Sequence, residues 1–126
     1  ILEELIIKGK WTPASGAAAV ESLLAASTPF SAILASNDDM AIGAMKQLHQ
    51  QGVRIPEQVS VIGFDDIVLA PYMVPALSSV KIPVTEMIKE SINRLIFMLD
   101  GGDLKYQQTF PGELLERDSI APGPFA

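Results

Sequence analysis

A chain of 126 residues has room for one compact domain and no more. Its net charge of −6 and isoelectric point near 4.6, with lysines and arginines scattered rather than striped, make it a poor direct contact for nucleic acid. With no cysteine the sequence excludes disulfides and thiolate sites, and its single histidine, His49, cannot assemble a zinc site alone.

Hydrophobic residues make up 48% of the chain and mean hydropathy is +0.30, so a substantial core is expected. The apolar run at 95–99 falls far short of the roughly 20 residues that a membrane span requires. The apolar excess reads instead as cover for something outside the segment, a partner subunit or the rest of a longer chain. The opening "ILEELIIKGKW" lacks the basic start and long apolar core of a signal peptide. It has no Met and starts in what reads as mid-strand, so the protein's own N-terminus is expected far upstream.

Residues 5–8 read as a short strand and "GKWTPASG" as the loop after it. Residues 17–26 are helical by propensity, with Val20, Leu23 and Leu24 on one face. Pro29 ends that stretch, and "FSAILAS" (30–36) is a second strand. Asn37 or Asp38 suits the N-cap of a helix that reaches Gln51, where Gly52 stands at C′. Pro56 closes the connection to a third strand at 59–64, an apolar run of the kind buried on both faces. The order β-α-β-α-β predicts an α/β fold, a parallel sheet flanked by helices.

Two prolines mark 67–76 as an irregular loop, and "LSSVKI" (77–82) is a further strand. Thr85 is placed to cap a helix with Ile88, Ile92, Leu95, Ile96 and Leu99 at helical spacing, stopped by Gly101-Gly102. A last extended stretch, "GELLERDSI" (112–120), precedes a Pro/Gly tail.

Ligands of open parallel sheets bind outside the carboxyl ends of the strands. Those ends here carry Trp11, Asn37 and Asp65: an indole, a carboxamide and a carboxylate on one crevice. The set suits a polyhydroxylated ligand. An indole packs on the C–H face of a sugar ring, a carboxylate accepts two hydroxyls at once, and a carboxamide both donates and accepts. Taken singly, each residue also has a bland reading: Trp11 as a packing residue, Asn37 and Asp38 as helix caps, Asp65 and Asp66 as turn formers. Paired carboxylates raise the possibility of an enzyme, but neighbours in an extended strand end point opposite ways. No GxSxG, P-loop or GxGxxG is present.

The blocks "GKWTPASG", "FSAILASNDDMAIGAMKQLHQQGVRIPEQVSVIGFDD", "PALSSVKIP" and "LLERDSI" resemble the C-terminal half of a LacI/GalR-type transcriptional repressor. The resemblance covers almost the whole chain and implies half of a two-subdomain, type I periplasmic-binding-protein fold. Residues 1–82 would belong to the C-terminal subdomain, 83–109 to a hinge crossing and a helix packed on the N-terminal subdomain, and 110–126 to the return strand and tail. It implies a cytoplasmic repressor, not an enzyme, with no cofactor and no membrane. The effector would be a small molecule, a sugar or sugar phosphate, and operator DNA would be read by an upstream helix-turn-helix. By similarity Trp11 matches the aromatic platform, Asn37 the hydrogen-bonding position and Asp65 the sugar carboxylate, while Asp66 is more structural. Val84 stands at a hinge position where some members place an aromatic. A periplasmic sugar-binding protein of a transport system is the alternative with the same fold.

On helix 38–51, Met40, Ala41, Ala44, Met45 and Leu48 form one arc. Ile42 and His49 widen its uncharged part to about 200°, beyond the stripe of about 100° that a sheet covers. Lys46, Gln47 and Gln50 hold the other side. The surplus, Ile42, His49 and part of Met45, either meets the 67–76 loop or covers a partner. The resemblance favours a homodimer, with this helix and the segment near Met73 at its two-fold interface.

Overall fold

The computed structural model describes residues 2–26, 28–103 and 107–123. Three parallel strands build its centre: β1 (Ala32–Leu34), β2 (Ser60–Phe64) and β3 (Ser78–Lys81), in that spatial order. Helix α1 (Pro13–Ala25) precedes β1, and α2 (Asp38–Gln50) joins β1 to β2. Helix α3 (Val84–Leu99) follows β3, and β4 (Glu113–Leu115) closes the sheet edge.

The predicted parallel sheet is therefore mixed, because β4 runs antiparallel to β3, with Glu113 opposite Lys81 and Leu115 opposite Ser79. No crossover helix carries the chain back to the amino edge. It leaves β3 through α3 and re-enters at the same carboxyl end, so it can only run the other way. The extended 112–120 segment keeps just three ladder residues.

The strand expected at 5–8 does not form. Leu5 and Ile6 give their N–H groups to Leu2 and Glu3 in a short 3-10 turn, and no strand of the described sheet lies beside 6–10. Helix α1 starts earlier than its apolar pattern suggested. Pro13 takes the first helical position, and Thr12 and Ser15 cap one another's N–H groups. Helix α3 likewise starts at Val84, with Pro83 rather than Thr85 at its N-cap. Gly52 (φ +70°) and Gly101 (φ +87°) end α2 and α3 as expected of C′ residues.

The core gathers Val20 of α1, Met40, Ala41, Ala44, Met45 and Leu48 of α2, Val61 of β2, and Ala70 and Leu77 from the loop before β3. Gln47, expected on the solvent side of α2, is buried as well. Helix α3 buries none of its residues: Ile88, Ile92, Leu95, Ile96 and Leu99 all stay more than half exposed.

Candidate functional site

Helices α1 and α2 touch backbone to backbone at their first turns. A Cβ on Gly16 would stand 2.0 Å from the Met40 carbonyl oxygen, and one on Gly43 would stand 1.8 Å from that of Pro13. Only glycine allows that approach, and it brings Trp11, just before α1, beside Asn37, the N-cap of α2. Asn37 Oδ1 accepts the Met40 N–H at 2.9 Å, and Asn37 Nδ2 donates to the Trp11 carbonyl at 3.3 Å. The carboxamide thus braces the Trp11 backbone, with one N–H and one lone pair beyond these two bonds.

Trp11 sits at φ +63°, an outlier for a bulky side chain that costs on the order of 1–3 kcal/mol. Its cause is local. Lys10 and Thr12 both direct their N–H groups to Ser15 Oγ, at 3.0 and 3.4 Å, which folds the chain sharply around Trp11. The outcome is a tryptophan 66% exposed just before the amino end of α1.

The carboxyl end of β2 holds the only other described non-glycine residues with positive φ, Asp65 at +100° and Asp66 at +52°. These neighbours are parted. Asp66 turns inward and pairs with Arg117, Nη2 to Oδ1 at 2.6 Å, while Arg117 Nη1 donates to the Leu77 carbonyl at 2.6 Å. Asp65 remains exposed. Partial withdrawal from water, and then the Asp38 and Asp39 carboxylates at the start of α2, hold its carboxyl above the ordinary range. This proximity ties the β2 end to the Trp11–Asn37 pair. The strand that was to position Trp11 is absent, yet the three predicted residues share one edge, brought there by two helix starts and one strand end.

Asp66 satisfies Arg117 and cannot share a substrate with Asp65, so the pair does not form a two-carboxylate catalytic site. Trp11 and Asp65 are both exposed, one just before α1 and the other near the first turn of α2. That arrangement can stack a ring and accept hydroxyl donors.

Sequence reasoning passed over one residue. Asp38, read as a cap, is fully buried beneath the site. The signal was in "SNDDMAIG": an apolar helix face whose first turn carries a carboxylate on the inner side.

Of the residues expected at a two-fold contact, Met45 lies in this chain's own core, 3% exposed. Ile42 and Met73 are half-buried against that core, and His49 is exposed. The loop at 67–76 adds Val68, Leu69, Tyr72 and Val74, all exposed. Its prolines marked it as irregular and hid this patch from the sequence pattern.

A family model, the periplasmic binding protein-like domain, matches residues 2–120. The chain belongs to that family. Periplasmic binding protein-like relatives include the HTH-type transcriptional regulator AscG of Escherichia coli K12, 72% identical over 95% of this chain and 36% of that protein. A solved sugar-binding LacI-family regulator from Escherichia coli, complexed with phosphate, is 71% identical with a TM-score of 0.85. It is matched over 97% of this chain and 44% of its own. A complex of the transcriptional regulator CelR with cellobiose is 30% identical, with a TM-score of 0.86 over 94% of this chain and 37% of its own. The chain thus spans little more than a third of its curated relatives' length. These relatives are transcriptional regulators, in keeping with the LacI-type resemblance. No helix of the described residues is long and apolar enough to cross a membrane.

Proposed function

We propose that this chain is the effector-binding and dimerisation core of a LacI-type transcriptional regulator that acts in the cytoplasm. Its effector is a sugar or sugar phosphate stacked on Trp11 and hydrogen-bonded by Asn37 and Asp65. The observation that carries this reading is the backbone strain. The three described non-glycine residues at positive φ, Trp11, Asp65 and Asp66, stand beside the starts of α1 and α2, and strain of this kind gathers at ligand sites. The sugar named with CelR and the phosphate found with the Escherichia coli regulator fit the same chemistry.

In this reading residues 1–82 and 110–126 make the C-terminal subdomain, and 83–109 cross to a second subdomain against which α3 lays its apolar face. An upstream helix-turn-helix reads the operator as a homodimer. Regulators among the relatives favour this over a transport protein.

The test is calorimetry on the full-length protein with a panel of monosaccharides, disaccharides including cellobiose, and their phosphates, beside operator retention on gels. One sugar should bind and change operator affinity. Sugar binding with no effect on DNA would point to the transport alternative.

The dimer has its own test. Ile42→Asp should convert the full-length dimer to monomer in sedimentation equilibrium while circular dichroism stays unchanged. Because Ile42 also packs on the core, Tyr72→Asp, at a side chain 77% exposed, should give the same result without a packing cost. Two folded variants that still sediment as dimers would place the interface elsewhere.

A further inference from the structure

Among the described residues Asp38 is the one ionisable side chain that is wholly buried, at 0% exposure. A carboxylate in that setting costs several kcal/mol unless its oxygens are hydrogen-bonded. Both are. Oδ1 accepts the Ser79 hydroxyl at 2.6 Å, and Oδ2 accepts the Ile67 N–H at 2.8 Å. Gly63 leaves the room, since a Cβ there would lie 2.0 Å from Asp38 Oδ1.

These contacts complete a pattern along the turn. Three successive N–H groups are all directed inward: Asp65 to the Val80 carbonyl at 2.9 Å, Asp66 to Ser79 Oγ at 3.1 Å, and Ile67 to Asp38. Two of those residues are at positive φ, so the turn needs such anchors to persist. With its amides fixed from beneath, the turn leaves the Asp65 side chain exposed.

We propose that Asp38 is the positioning residue of the effector site: it clamps the 64–67 turn from beneath, directly at Ile67 and through Ser79 at Asp66, and so presents Asp65 to the ligand without touching the ligand itself. This rests on reading Asp65 as the effector carboxylate.

The clamp also carries charge. Asp38 and Asp39 on α2 act on Asp65, Asp66 beside it pairs with Arg117, and Lys81 follows Val80, whose carbonyl accepts the Asp65 N–H. Withdrawal from water and the two α2 carboxylates raise the Asp65 carboxyl. Ligand hydroxyls donate to the ionised form, so binding weakens as pH falls through the free-protein pKa of Asp65. Raising that pKa starts the weakening at a higher pH, and removing the Asp38 charge moves the acid edge down.

The deciding measurements need no sugar. In full-length protein labelled with 13C at the aspartate carboxyls, the Asp65 signal is assigned by its loss in Asp65→Asn. Asp38→Asn keeps an acceptor for Ile67 and a partner for Ser79, so the turn should persist while Asp65 titrates at lower pH. Amide exchange by mass spectrometry over 64–67 should rise about tenfold or more in Asp38→Ala and much less in Asp38→Asn. An Asp65 titration unmoved in Asp38→Asn, or a folded Asp38→Ala with unchanged exchange, overturns the proposal. If Asp38→Ala does not fold, Ser79→Ala takes its place in the exchange measurement. Whether Asp65 meets a sugar at all is decided separately, by the affinity of the Asp65→Ala protein.

Discussion

Asp65→Ala should lower the affinity of the full-length protein for its sugar effector by about a thousandfold. A carboxylate taking two hydroxyl donors in a closed cleft makes two charge-assisted bonds. At about 1.5–3 kcal/mol each, and about 1.4 kcal/mol per power of ten, their joint loss spans two to four decades. Residue 65 holds φ +100°, where any side chain is strained, so alanine keeps the parent's backbone cost while glycine relieves it. Asp65→Gly removes the carboxylate without that strain and should weaken binding as much, which separates the two effects. Calorimetry beside thermal unfolding reads both. An Asp65→Gly protein that binds as tightly as the parent would take Asp65 out of the site.

Gly43→Ala should destabilise the protein by about 3 kcal/mol, although alanine is the better helix former by about 1 kcal/mol. The added methyl would stand 1.8 Å from the Pro13 carbonyl oxygen, and a backbone atom cannot swing aside as a side chain does. Helices α1 and α2 must part, and the Asn37 bond to the Trp11 carbonyl goes with them. The variant should therefore lose effector affinity along with stability, which urea unfolding and calorimetry on the same samples will show. A gain in stability would mean that helix propensity outweighs the contact.

Much of this was legible in the sequence because it is local. The apolar run before Asp65, the Asn37 cap and the glycines after α2 and α3 each act within a few residues of where they are read. The misreadings involve partners distant in sequence. Residues 5–8 have a strand's composition, but no strand of the described sheet lies beside them to pair with. Gln47 looks solvent-facing on a helical wheel and is covered by chain that the wheel does not contain. Asp38 and Asp39 are indistinguishable as text, yet one lies beneath the 64–67 turn and the other faces out, because Gly63 and Ser79 receive only the first. Gly16 and Gly43 were the available clue to the helix contact, since glycine inside a helix is unfavourable unless something needs the space.

The last described strand and the residues after it complete bonds begun much earlier. Ser119 gives its carbonyl to the Val61 N–H and its hydroxyl to the Val61 carbonyl, and its hydroxyl oxygen takes the Ser78 N–H. Arg117 adds bonds to Leu77 and Asp66. Until synthesis reaches these residues, the middle of β2 and the start of β3 carry backbone groups without their final partners. The sheet therefore cannot settle until the "RDS" segment is made, and the turn bearing Asp65 lacks its arginine for the same interval. The sheet edge that carries Asp65 is thus finished by the residues at 117–119, made well after the strands they complete.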